Sequence, residues 1–187
     1  MAGRAGWFTA GMMVALVAAS GCRFGERPPR SRAPHFHTIH GLVIAGFRGD
    51  VESSQWIART LAEERVDFPM DAVGIEQVGG GLGFVQVASD SADVAEGIAR
   101  ALGGCAACHQ AEGLKTPPLA GWSHESAGLR MMVNASFPPM QAPEPTDAYL
   151  TEVRAAWDKA AAEPNAAPHA PLSAALAACS ACHERSR

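Results

Sequence analysis

Ile98-Ala99-Arg100-Ala101-Leu102-Gly103-Gly104-Cys105-Ala106-Ala107-Cys108-His109 and Leu172-Ser173-Ala174-Ala175-Leu176-Ala177-Ala178-Cys179-Ser180-Ala181-Cys182-His183 are two stretches built on one pattern. In each, an apolar residue, a leucine, a cysteine and a histidine fall at i, i+4, i+7 and i+11, which is one face of an α-helix. Each ends in the frame C-x-x-C-H, the attachment signature of c-type haem. Cysteines at i and i+3 share a helical face and can each form a thioether to a haem vinyl group, while the next residue, His, reaches the iron. The two frames predict two covalent haems c, held by Cys105, Cys108, Cys179 and Cys182, with His109 and His183 as proximal iron ligands. They also predict two related helical halves.

Other uses of paired cysteines fit less well. Zinc sites set C-x-x-C units about 15–20 residues apart and give no reason for a histidine after each pair; Cys105 and Cys179 are 74 residues apart. A thioredoxin-like pair needs a surrounding βαβ pattern, which is not evident. Two structural disulfides are the remaining alternative, conceivable in an exported chain.

Working outward, the 187 residues carry 15 Lys+Arg against 19 Asp+Glu, with 48% hydrophobic and 6% aromatic side chains. This ordinary composition excludes a disordered, collagen-like or multi-spanning membrane chain. The net charge of -4, without an interior basic run, leaves no footprint for nucleic acid. Few aromatics and many alanines suit a helical bundle in which planar prosthetic groups supply apolar bulk.

The N-terminal stretch 1–21 reads as a signal peptide: Arg4, an apolar run from Trp7 to Ala19, then Ala19-Ser20-Gly21-Cys22. The small residues before Cys22 resemble a bacterial lipobox, with Ala19 where leucine is usual. We favour lipidation of Cys22, since ordinary cleavage nearby would leave a free thiol in an oxidising compartment. Residues 22–34, with three prolines and four arginines, read as an extended tether. Beyond it, residues 35–112 form the expected first haem-binding unit and 113–187 a shorter second one. The expected location is the periplasmic side of a bacterial membrane.

In the first unit the periodicity predicts helices over 35–48, with Phe36, His40, Val43 and Phe47 on one stripe, and from Asp50 to about Arg65. Residues 71–88 are ambiguous, because Gly79-Gly80-Gly81 and Gly83 disfavour helix while Phe84-Val85-Gln86-Val87 would suit a strand. A lone strand would have no partner, so helix is preferred. Ser89-Asp90-Ser91 offers an N-cap for the first haem helix. In the second unit, helices are expected over 123–136, from a Thr146 cap to about Ala162, and through the second motif, one helix fewer than in the first. The fold class expected is all-α.

On these residues the chain resembles bacterial exported diheme cytochromes with cytochrome c′-like helical-bundle units, each haem motif on the last helix of its unit. The likeness rests on Leu172 to Arg185, on His35-Phe36 followed by Gly49-Asp50, and on His124-Glu125-Ser126-Ala127-Gly128-Leu129-Arg130-Met131-Met132. The triple glycine and the missing helix depart from that pattern. The resemblance implies His35 and His124 as distal ligands, with His40 and Met131 as alternates. From spacing alone the choice stays open, although His124 and Met131, about 10 Å apart along a helix, cannot both ligate one iron.

The expected activity is one-electron transfer between membrane-side and soluble redox proteins, not enzymatic turnover, with an anchor in the membrane through lipid. Residues 35–112 carry 4 cations and 11 anions, which would steer a basic partner. The alternative is a module binding nitric oxide or carbon monoxide at an open distal face. A peroxidase ranks last, for want of a distal acid/base and charge stabiliser.

Overall fold

Gly49 and Asp50 together turn the chain between its first two helices, α1 (Ala33–Phe47) and α2 (Val51–Glu64). Gly49 has φ +63°, a conformation that costs glycine little. Its N–H donates to Gly46 and that of Asp50 to Ala45, closing α1 in a Schellman-like turn. Asp50 then caps α2 by accepting from the Ser53 N–H at 3.0 Å. The Ser53 side chain first, and this backbone bond second, hold the Asp50 carboxyl below its usual range.

In this computed structural model the described residues are 33–64, 73–117, 119, 121–137 and 139–187, and they form seven α-helices and no strand. The apolar N-terminal run, Cys22 and the Arg/Pro-rich tether lie outside them. No helix among the described residues is long and apolar enough to cross a membrane. The remaining helices are α3 (Ile75–Gln86), α4 (Ser91–Ala111), α5 (Ala127–Ser136), α6 (Ala148–Ala161) and α7 (Ala170–Arg185).

The ambiguous glycine-rich segment is helix α3, and Gly81 is the glycine its packing requires. A Cβ on Gly81 would lie 2.4 Å from the Ala101 nitrogen and 2.7 Å from the Gly97 carbonyl oxygen. α3 and α4 therefore touch backbone to backbone, which glycine alone permits. Around the crossing, Val78, Leu82, Val85, Ile98 and Leu102 are buried, so packing overrides the poor helix propensity.

Asp90 caps α4 through the Asp93 N–H at 2.8 Å. The cap of α6 is Asp147, which accepts from Leu150 N–H at 3.0 Å, and not the expected Thr146. The Thr146 hydroxyl donates instead to the Trp122 carbonyl, tying the segment before α6 to the one before α5. The expected helix from 123 starts only at Ala127, because residues 124–126 form a turn.

The segments 35–112 and 113–187 are not separate bodies: residues 32–187 form one compact unit. α7 packs on α4 as well as α6, and α1 packs on α2, α4, α5 and α7. The two haem-motif helices are pinned near their starts, where Glu96 of α4 sits 2.8 Å from His169 Nε2 and 2.7 Å from Arg100 Nε. Burial raises the Glu96 carboxyl, but the hydrogen bonds from Arg100, His169 and Ser173 outweigh it, and the net shift is downward.

Candidate functional site

Both motifs occupy the last turns of their helices. In α4, Ile98, Leu102 and Cys105 are buried, as the stripe requires; in α7, Leu172 and Leu176 are buried and Cys179 is partly so. Burial, with a neighbouring cysteine adding to it, pushes the Cys105 and Cys179 thiols up to about 12. None of the four motif cysteines is in a disulfide. Redox-active C-x-x-C pairs need a depressed thiol pKa, so this environment is the opposite of theirs.

In the first motif, His109 Nδ1 lies 2.8 Å from the Ser136 carbonyl oxygen at the end of α5. A carbonyl only accepts, so Nδ1 carries the proton and the lone pair sits on Nε2. This is the arrangement in which a backbone oxygen orients a metal-ligating imidazole. The ring also stacks on Phe137, with centroids 4.3 Å apart and planes 28° apart. Neither Ser136 nor Phe137 carried a signal in the sequence, because a main-chain acceptor has no residue type.

The expected distal candidates for this motif are on α1. His35 and His40 are half-buried and His37 is exposed, as its position off the stripe suggests. His40 stacks on Phe36, with ring centroids 6.5 Å apart. Phe36 itself is 38% exposed; the stripe is buried only in its later half, at Val43 and Phe47, where α1 meets its neighbours.

The second motif opens on a cleft of about 280 Å³ lined by Cys179, Cys182, His183, His124, Tyr149 and Phe47 among others. His124 and His183 face each other across it with ring centroids 5.9 Å apart and planes within 19°. Two imidazoles on opposite sides of one metal stand roughly 6 Å apart between centroids, with ring edges and not faces toward it. The pair matches a haem iron's axial ligands in spacing, and the stacked rings would turn edge-on to share one. Burial first, then the positive potential of His124, Arg48 and Arg187, holds the His183 pKa below its ordinary value, favouring the neutral imidazole that ligates metals.

His124 owes its place to a turn, not a helix. Ser123 N–H donates to Ser126 Oγ at 3.0 Å, and the Ser126 hydroxyl reaches the Gly121 carbonyl at 3.2 Å. Tyr149, from α6, flanks the His124 ring at 5.1 Å. Met131, the alternate to His124, is 2% exposed within the core and does not line the cleft; Met132 is equally buried. Arg48, beside the Gly49 turn, lines the cleft, and the Arg187 side chain hydrogen-bonds its carbonyl.

α5 connects the two places. Its last residue holds His109, and the turn just before its first presents His124 to His183. Ten residues of helix span about 15 Å, the length of α5 between the turn that carries His124 and the carbonyl against His109. Among the described residues no group of three or more His, Cys, Asp or Glu could hold a bare metal ion. A porphyrin brings four nitrogens of its own and asks the chain for only one or two. Comparison with protein-family models, with curated proteins and with solved structures finds no match for this chain.

Proposed function

We propose that the protein is a diheme c-type cytochrome, of the exported, cytochrome c′-like helical-bundle kind, that carries single electrons at the periplasmic face of a bacterial membrane, anchored through Cys22. The observation that carries this reading is that both thiols of the second motif, its His183 and the candidate His124 line one cleft. His35 of α1 is the corresponding distal ligand proposed for the first motif.

When bound, each haem would supply a one-electron couple whose potential follows axial ligation, burial and nearby charge. The chain's own work is positional. Ser136 fixes the tautomer of His109; the serine turn fixes His124; and burial lowers the His183 pKa toward the neutral form. If His183 and His124 both held the second haem, it would supply one-electron chemistry with little room for a gas or peroxide ligand, which would favour transfer over ligand binding. The acidic excess of residues 35–112 favours basic redox partners, and docking weakens as salt rises.

The test is the visible spectrum of protein made in a host that attaches haem c. A pyridine haemochrome count of two per chain, low-spin bands and indifference to carbon monoxide support the carrier. High-spin bands that shift with carbon monoxide would replace it with the gas-binding module, and colourless protein would end both.

A further inference from the structure

The last turn of α1 puts a cation on the cleft of the second motif. Arg48 N–H still donates to the Ile44 carbonyl at 3.2 Å, so Ile44, Phe47 and Arg48 stand at i, i+3 and i+4 on one helical face. All three line the cleft together with Cys179, Cys182 and His183. Among the described residues that line it, Arg48 is the one lysine or arginine. Its main chain is held as well: Gly49 turns the chain immediately after it, and the Arg187 side chain donates to its carbonyl. After burial and His124, the guanidinium groups of Arg48 and Arg187 are the next causes that lower the His183 pKa, so the charge of Arg48 acts on the ring that the motif offers.

The carboxylates nearby are engaged elsewhere. Glu125, also on the cleft, is hydrogen-bonded by Ser123, and Asp50 caps α2 through Ser53. Arg48 is in no ion pair with a described carboxylate. A carboxylate carried into a largely apolar cleft needs a partner there, because an unpaired buried charge is costly, and guanidinium pairs with carboxylate in a forked, charge-assisted contact. Haem carries two carboxylates, on propionate arms at the side of the ring away from the vinyl groups that the thioethers would use. We propose that Arg48 seats a propionate of the haem attached at Cys179 and Cys182. This rests on the diheme reading above and adds to it a haem-binding residue outside both motifs.

The experiment uses the holoprotein, with the haemochrome count of the wild type taken first, so that failure of the diheme reading shows as missing haem. Two readouts then compare the wild type with Arg48→Gln and Arg48→Lys: potentiometric titration, and the propionate bending band of the resonance Raman spectrum, which reports hydrogen bonding to that carboxylate. Arg59→Gln, on the exposed face of α2, is the control. Removing the cation beside one haem favours its oxidised state. Arg48→Gln is expected to shift the oxidation equilibrium of one haem about three- to tenfold, or about 28–59 mV for one electron, to leave the other unmoved, and to move the band of one propionate. Arg48→Lys keeps the charge and most of the potential but moves the band, because an ammonium cannot make the forked contact. Two haems per chain with both potentials and the band unchanged in Arg48→Gln would overturn the proposal. So would a potential that moves while the band does not, since Arg48 would then act only as a charge at a distance, and so would an equal shift in Arg59→Gln. Should Arg48→Gln fail to retain the second haem, Arg48→Lys decides: a moved band supports the seat, and an unchanged band overturns it.

Discussion

Gly79, Gly80 and Gly81 are adjacent in α3, yet alanine should act on them in opposite directions. At Gly79 and Gly80 a Cβ meets nothing within 4 Å, so each substitution should stabilise the protein by up to about 1 kcal/mol through helix propensity. At Gly81 the new carbon would lie 2.4 Å from Ala101 N, 2.7 Å from Gly97 O and 2.8 Å from Ala101 Cα. All three are backbone atoms of α4 and cannot rotate away, so the helices must part by about 1 Å. Overpacking costs typically 1–3 kcal/mol, and a rigid obstacle belongs at the upper end. Subtracting the propensity gain of about 1 kcal/mol leaves a net loss of about 2 kcal/mol. For a domain of this size that is roughly 4–8 °C in melting temperature. Thermal and urea melts of the holoprotein, followed by circular dichroism at the helix band, measure it. If Gly81→Ala proved as stable as Gly80→Ala, the backbone-to-backbone crossing of α3 on α4 would be refuted.

The other expectations are shorter. Asp90→Ala and Asp147→Ala each remove a helix cap and should cost about 1 kcal/mol by denaturant titration, while Thr146→Ser should be nearly neutral. Glu96 titrates lower in the folded chain than in the unfolded one, so its stabilisation is complete above the ordinary carboxylate range and lost as pH falls through the folded value. Glu96→Gln should therefore flatten the acid limb of the stability profile and leave a loss on the order of 1 kcal/mol at neutral pH. His124→Ala should convert one of two haems to a high-spin form that binds carbon monoxide, whereas His37→Ala, at an exposed position, should leave the spectrum unchanged. A low-spin spectrum in His124→Ala would remove His124 from the second iron.

The two motif helices were legible because their periodicity and chemistry coincide: the apolar stripe of Ile98 and Leu102, or Leu172 and Leu176, runs directly into the cysteines. The Gly49-Asp50 break was legible for a local reason, since one residue ends a helix and the next caps another. Contacts between distant segments were not. Nothing about Ser136 announces that its carbonyl will hold His109, and nothing about His169 announces Glu96. The glycine run read ambiguously because propensity counts only what glycine costs a helix, while Gly97 and Gly104 in α4 are what make the close approach useful. Thr146 and Asp147 are both good caps one residue apart, and the hydroxyl was drawn to Trp122. His124 and Met131 shared a helical face in the sequence; the turn at 124–126 separated them, sending the histidine to the cleft and the methionine into the core.

Mass spectrometry of proteolytic fragments addresses the central claim most directly. Protein matured in a host that attaches haem c should yield the fragment containing Cys105–His109 and the fragment containing Cys179–His183 each heavier by one haem. Fragments at the bare peptide mass, or joined through cystine, would contradict the account.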